Sequence, residues 1–162
     1  MSLALGPIVD YLVTQAKAAV ANMTVNGDPV LVSDGPYDSR ADGMFVIGLA
    51  EPEEGAVTRP TVVNRQALTL GLPMNLSEAA DIPCFIDVRI AGTQKQARDQ
   101  AEAIFNAFNN VLLADPSAGG LISGGMALTT AAECSPSRVG SAAETGRRYF
   151  ISFTVLCTDV TT

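Results

Sequence analysis

The sharpest hydrophobic pattern in the chain lies over residues 82–113. Ile82, Cys84, Ile86, Val88 and Ile90 alternate with Asp87 and Arg89. Successive side chains of a strand point to opposite faces, so five apolar residues share one face and the charges take the other. This predicts a half-buried strand, antiparallel and solvated on its charged side. Ala91-Gly92-Thr93 breaks the alternation, and Thr93 has the hydroxyl needed to cap a helix. Beyond it, Ala97, Ala101, Ile104, Phe105, Phe108, Val111 and Leu112 recur at steps of three and four, one stripe of an amphipathic helix. Lys95 with Asp99 and Arg98 with Glu102 stand four apart on its outer side, each pair supporting the helix by about 0.2–0.5 kcal/mol. Asp115-Pro116 and Gly119-Gly120 end it. The unit reads as a strand followed by a helix packed across a sheet face.

The same periodicities place the other elements. Residues 5–22 carry Ile8, Leu12, Ala16 and Ala19, with Val9, Val13 and Val20, at helical spacing. Pro7 suits the first turn and Asn26-Gly27 is a stop or turn signal. Residues 29–32 predict a short strand, kept to an edge or a strand start by Pro29. Residues 33–42 are turn chemistry, 44–49 a compact apolar strand, and 50–60 a polar loop. Within 61–72 the second part, from Ala67 on, alternates as a strand. Residues 73–81 read as a connection in which Asn75 or Ser77 caps a short turn. Met126, Leu128, Thr130, Ala132 and Cys134 alternate as one strand, 135–145 reads as a mobile loop, and Tyr149, Ile151, Phe153, Val155 and Cys157 mark a long last strand. These elements predict an α+β, two-layer domain over residues 1–162: a mainly antiparallel or mixed sheet with two amphipathic helices packed on it.

Composition narrows the class. At 162 residues the chain suffices for one domain with a real core. Hydrophobic residues at 48% against 17% charged argue against disorder. No run reaches the roughly 18 apolar residues of a membrane span, and no signal-peptide pattern opens the chain. Cys84, Cys134 and Cys157 each fall in apolar alternation, which predicts reduced, buried thiols of a cytosolic product. The net charge of −7 disfavours tight binding to nucleic acid. Between positions 28 and 54 stand seven acids, among them Asp34, Asp38, Asp42, Glu51, Glu53 and Glu54, against the single base Arg40. This stretch reads either as a pair of solvated loops or as an acidic surface, presented to a basic partner or to DNA that must slide past.

The residues predict no catalytic apparatus. The absence of histidine removes the usual general base and most transition-metal sites. Glu53-Glu54 and Asp38 with Asp42 lie in polar loops with nothing apolar nearby to shift a pKa. The glycine pairs 119–120 and 124–125 match neither a Walker nor a dinucleotide fingerprint. No cofactor and no metal are expected. Arg147-Arg148, the one adjacent basic pair, reads as surface or as a contact for an acidic patch on another subunit.

Several segments together resemble one family. Asp34-Gly35-Pro36 precedes Phe45-Val46-Ile47-Gly48-Leu49, and Leu113-Ala114-Asp115-Pro116 is followed by Gly119-Gly120, around the strand and helix described above. In this combination the chain resembles the tail terminator proteins of long-tailed bacteriophages. The resemblance implies a mixed α/β subunit of a six-membered ring that caps the head-proximal end of the tail tube, halts its growth and receives the head connector. Implied partners are further copies of the chain, the tail-tube protein and the head-completion or connector protein. DNA is implied only as passing cargo, and no membrane is. The implied location is the virion tail, after assembly in the host cytoplasm. The candidate subunit-interface or lumen residues are Asp34, Asp38, Asp42, Glu51, Glu53, Glu54, Arg138, Arg147 and Arg148. Another head–tail joining protein or a tail-tube subunit is the neighbouring alternative, and a small cytosolic ligand-binding domain or enzyme is the alternative from a different class.

Overall fold

A computed structural model describes residues 3–35, 41–48, 62–67, 76–130, 133–138 and 146–161. In chain order the elements are α1 (Leu5–Ala19), β1 (Thr24–Val25), β2 (Asp28–Pro29), β3 (Leu31–Asp34), β4 (Gly43–Ile47), β5 (Val62–Ala67), β6 (Leu76–Ile90), α2 (Gln94–Ala114), β7 (Met126–Thr129), β8 (Glu133–Arg138) and β9 (Arg147–Thr161). The fold is α+β. The two 15-residue strands β6 and β9 pair antiparallel from end to end, Leu76 opposite Thr161 and Ile90 opposite Arg147. β4 and β5 lie along one side of β6, β7 and β8 along the far side of β9, and β3 adds in parallel to β4. β1 and β2 form a separate hairpin closed by Asn26 and Gly27 at φ of 52° and 86°.

Both helices lie on one face of the sheet. Ile82, Cys84, Ile86 and Val88 of β6, with Ile151, Phe153, Val155 and Cys157 of β9, meet Ile8, Leu12 and Ala16 of α1 and Ala97, Ala101, Ile104, Phe108 and Leu112 of α2. Burying each large apolar side chain there contributes about 1.5–3 kcal/mol. Four phenylalanines join the layers: Phe108 meets Phe45 edge-on at 4.9 Å between centroids, and Phe105 meets Phe153 edge-on at 5.0 Å. α2 starts where expected. The Thr93 hydroxyl accepts from the Gln96 amide at 3.2 Å, and the Gln96 side chain accepts from the Thr93 amide at 2.9 Å, a reciprocal cap.

The opposite face differs from expectation. Asp87 does not face solvent; it is 2% exposed. It shares its face with a second apolar cluster of Met44, Val46, Phe85 and Phe150, in which the rings of Phe85 and Phe150 stack at 5.1 Å. β4 is buried along its whole length, which explains why residues 44–49 show no alternation.

Five boundaries also move. Within residues 61–72 a strand covers the first part, Val62–Ala67, while residues 68–72, expected as strand, lie outside the described residues. The central strand begins at Leu76, not Ile82, because its first six residues pair with β5 on one side and β9 on the other; Ser77, expected in a turn, lies within this strand, and Asn75 lies outside the described residues. The stretch 126–134 is two strands. β7 pairs Thr129 with Val155 and β8 pairs Glu133 with Ser152, a register slip of one residue that exchanges the two faces. Ala127, opposite Cys157, is therefore the core residue of β7, while Met126 and Leu128 are 45% and 39% exposed. Residues 135–138, expected in a loop, belong to β8, and the strand expected over 29–32 is shared between β2 and β3. On α2, Lys95 pairs with Asp99 as expected, whereas Arg98 reaches Asp99 at 3.6 Å in place of Glu102.

Candidate interaction surfaces

The fold brings one acidic and three basic candidates to the same end of the sheet. The start of β4, the end of β6, the end of β8 and the start of β9 meet there: Gly43 lies opposite Val88, Arg89 opposite Arg148, and Arg138 opposite Arg147. Arg148 is held inside the chain. Its Nε and Nη2 donate to the two oxygens of Asp87 at 2.8 and 3.0 Å, and its guanidinium stands 5.5 Å from the centroid of Phe150. Arg89 adds Nη2 to the same carboxylate at 3.2 Å, while its buried Nε has no hydrogen-bond partner among the described residues. One buried carboxylate thus gathers two guanidinium groups. Arg147, on the helix face, donates to the Gly146 carbonyl at 3.2 Å and is half-buried.

Asp42 sits at this end as a joint. Its carboxylate accepts from Asn26 Nδ2 at 2.9 Å, and its carbonyl accepts from the Arg89 amide at 2.7 Å. Asn26 also donates to the Arg89 carbonyl at 3.0 Å, fastening the β1–β2 hairpin to the end of β6. Asp34 lies elsewhere. It is exposed at the end of β3, opposite Ile47, four residues along β4 from Gly43 and so about 13 Å away. Asp38, Glu51, Glu53 and Glu54 are outside the described residues, and of Arg138 the backbone position alone is described.

Two buried acids were not singled out from the sequence. Glu78 and Asp159 face each other across β6 and β9 on the helix face, 5% and 4% exposed. Glu78 accepts from the Leu3 amide, and Asp159 accepts from the Gly124 amide at 3.0 Å and from the Ser123 hydroxyl at 3.4 Å. Like charges directly opposite on a sheet are unfavourable, so these amide donors offset the repulsion. Had the alternation at 82–90 been continued upstream, its parity would have put Glu78 on the core face. The adjoining Gly125 approaches β9 so closely that a Cβ there would stand 1.8 Å from the Thr158 carbonyl oxygen.

The turn after α2 is a third built feature. Asp115 accepts from Tyr11 of α1 at 2.7 Å, from Ser117 at 2.6 Å and from the Gly119 amide at 2.8 Å. The Ser117 and Tyr11 hydroxyls hold the Asp115 carboxyl below its ordinary pKa, and burial together with Asp115 pushes the Tyr11 phenol up to about 12. Of the cysteines, Cys84 and Cys157 are buried, with thiols raised by desolvation to about 12 and about 11. Cys134, expected to be buried, is exposed on β8.

No family model and no curated protein matches the chain. Among solved structures it is similar to a chain of the virion of a native gene transfer agent particle, with 18% identity and a TM-score of 0.43, over 87% of this chain and 82% of that one.

Proposed function

We propose that the protein is a structural component of a phage-type virion, a tail terminator subunit. In this reading copies of the chain form a ring that caps the head-proximal end of the tail tube, stops its elongation and offers a docking surface to the head connector. The observation that carries the reading is the part played by the two turn segments on which the family resemblance rests. In the first, the Gly35 amide donates to the Ile47 carbonyl at 2.7 Å, tying the Asp34-Gly35 turn to the strand that carries Phe45-Val46-Ile47. In the second, Asp115 fastens the Leu113-Ala114-Asp115-Pro116 turn to α1 through Tyr11. The first joins neighbouring strands and the second joins the two helices, so the resemblance rests on residues that shape the subunit.

Ring contacts are heterologous, requiring two different patches that match. The acidic residues Asp34, Asp38, Asp42, Glu51, Glu53 and Glu54 supply one patch, or line the bore, where like charge lets DNA pass without sticking. Arg138 and Arg147 supply the basic counterpart. Arg148 stands behind them, its guanidinium committed to Asp87. The test is functional: purified protein added to polymerising tail-tube subunits should arrest elongation and sit at one tube end by electron microscopy. Continued lengthening at an unchanged rate would refute the terminator role and favour a neck protein or a tube subunit.

A further inference from the structure

The open edge of the sheet at β3 has features that the ring reading does not use. β4 pairs with β3 on one side, and among the described residues no strand pairs with the other. Among the described residues its outer backbone groups are thus unpaired, the arrangement that accepts an added strand. Alongside this edge runs a groove of about 310 Å3, walled by Lys17, Val20 and Ala21 at the end of α1 and by residues 29–32. Its floor is apolar, since Val20 and Val30 are buried and Val32 packs against the core. Leu31 at its lip is 39% exposed. The one cation in the wall is Lys17, which has no carboxylate partner among the described residues.

We propose that this edge is a docking groove for an extended segment of another protein, which adds as a strand beside β3, seats apolar side chains on Val20, Val30 and Val32, and sets one carboxylate against Lys17. Charge fixes the chemistry of the occupant. Lys17 calls for an acid at one point, whereas the exposed Asp28 and Asp34 before and at the end of β3 disfavour acids at the segment's ends. A foreign segment fits better than the opposite edge of a second copy. On β7 the Ala127 amide is already bonded to the Pro116 carbonyl at 2.8 Å, and β8 carries Pro136, which has no amide to donate. The proposal is independent of ring formation.

The test is a titration of the uniformly 15N-labelled full chain with an eight-residue peptide of alternating valine and threonine carrying one central glutamate. Amide signals of residues 30–34 and 17–21 should shift saturably, with a dissociation constant on the order of 1 mM or tighter. A glutamine-for-glutamate peptide should bind about three- to fivefold more weakly, as expected for a partly solvated ion pair. Lys17→Glu should produce the same loss with an unchanged far-ultraviolet circular dichroism spectrum, and should favour a lysine-bearing peptide. No saturable shift, shifts confined to other elements, or indifference to both the glutamine exchange and Lys17→Glu would overturn the proposal. If the same signals move on dilution of the protein alone, the groove is a contact between copies, and the assignment to a foreign segment is wrong.

Discussion

Arg148 and Asp87 meet across β9 and β6 through two hydrogen bonds, of 2.8 and 3.0 Å, on the sheet face that carries the stacked rings of Phe85 and Phe150. The carboxylate is almost fully enclosed and also holds Arg89. Removing it leaves two partly buried guanidinium groups without their shared counter-charge. Asp87→Ala should therefore destabilise the fold by about 3 kcal/mol, read as a lower urea midpoint at unchanged slope. In a double-mutant cycle with Arg148→Met the two losses should be strongly non-additive. Additive losses would mean that the pair is not coupled as its geometry indicates. The same relationship separates the two adjacent arginines as interface probes. Arg147→Glu tests a subunit contact, whereas Arg148→Glu disturbs the sheet.

The junction of Tyr11, Asp115 and Gly119 gives a pH-dependent signature. The folded-state pKa of Asp115 is depressed, so its contribution is present above the ordinary carboxylate value of 3.8 and is lost as pH falls through the folded pKa. Tyr11 has a raised pKa, so its contribution is complete below pH 10 and is lost as pH rises toward about 12. Tyr11→Phe should flatten the stability profile at both limits and remove a phenol titrating near 12 from the ultraviolet spectrum. Gly119→Ala should cost about 2 kcal/mol, since φ is +70° there and the new Cβ would lie 2.9 Å from the Tyr11 ring. A wild-type acid profile after Tyr11→Phe would remove the hydroxyl's role.

Thiol accessibility distinguishes the three cysteines. Cys134 should be alkylated by iodoacetamide in the native protein at pH 8, while Cys84 and Cys157, buried and with raised pKa values, should be protected until unfolding. Mass spectrometry of peptides after a short pulse checks this. Equal labelling of all three would contradict the placement of β6 and β9 at the centre.

How far the sequence carries can be seen by comparing α2 with the strands around it. In α2 the apolar period, the Thr93 cap and the terminating Asp115-Pro116 all agree, and the helix lies where those signals put it. β6 was legible from Ile82 onward and hidden before it. Ser77, Glu78 and Asp81 look like loop residues, because pairing on both sides and donated amides, which make Glu78 tolerable inside, arise from distant parts of the chain. The reading of residues 126–134 as one strand failed for another reason. The two large apolar residues, Met126 and Leu128, share one parity and point the alternation to the wrong face, and nothing in the pattern marks Ala127 as the inward residue or the register slip before Glu133. Of the candidate contact residues, the strand pattern placed Arg147 and Arg148 at the start of β9, but their sorting into a half-buried cation and an ion-paired one required Asp87 to be brought beside them.

The central claim, that this subunit works as a member of a ring, is tested most directly by the mass of the purified protein in solution, measured by light scattering alongside negative-stain imaging. The account predicts a species near six times the 16.8 kDa chain mass and annular particles in the same sample. A monodisperse monomer at every concentration, with no annular particles, would contradict it.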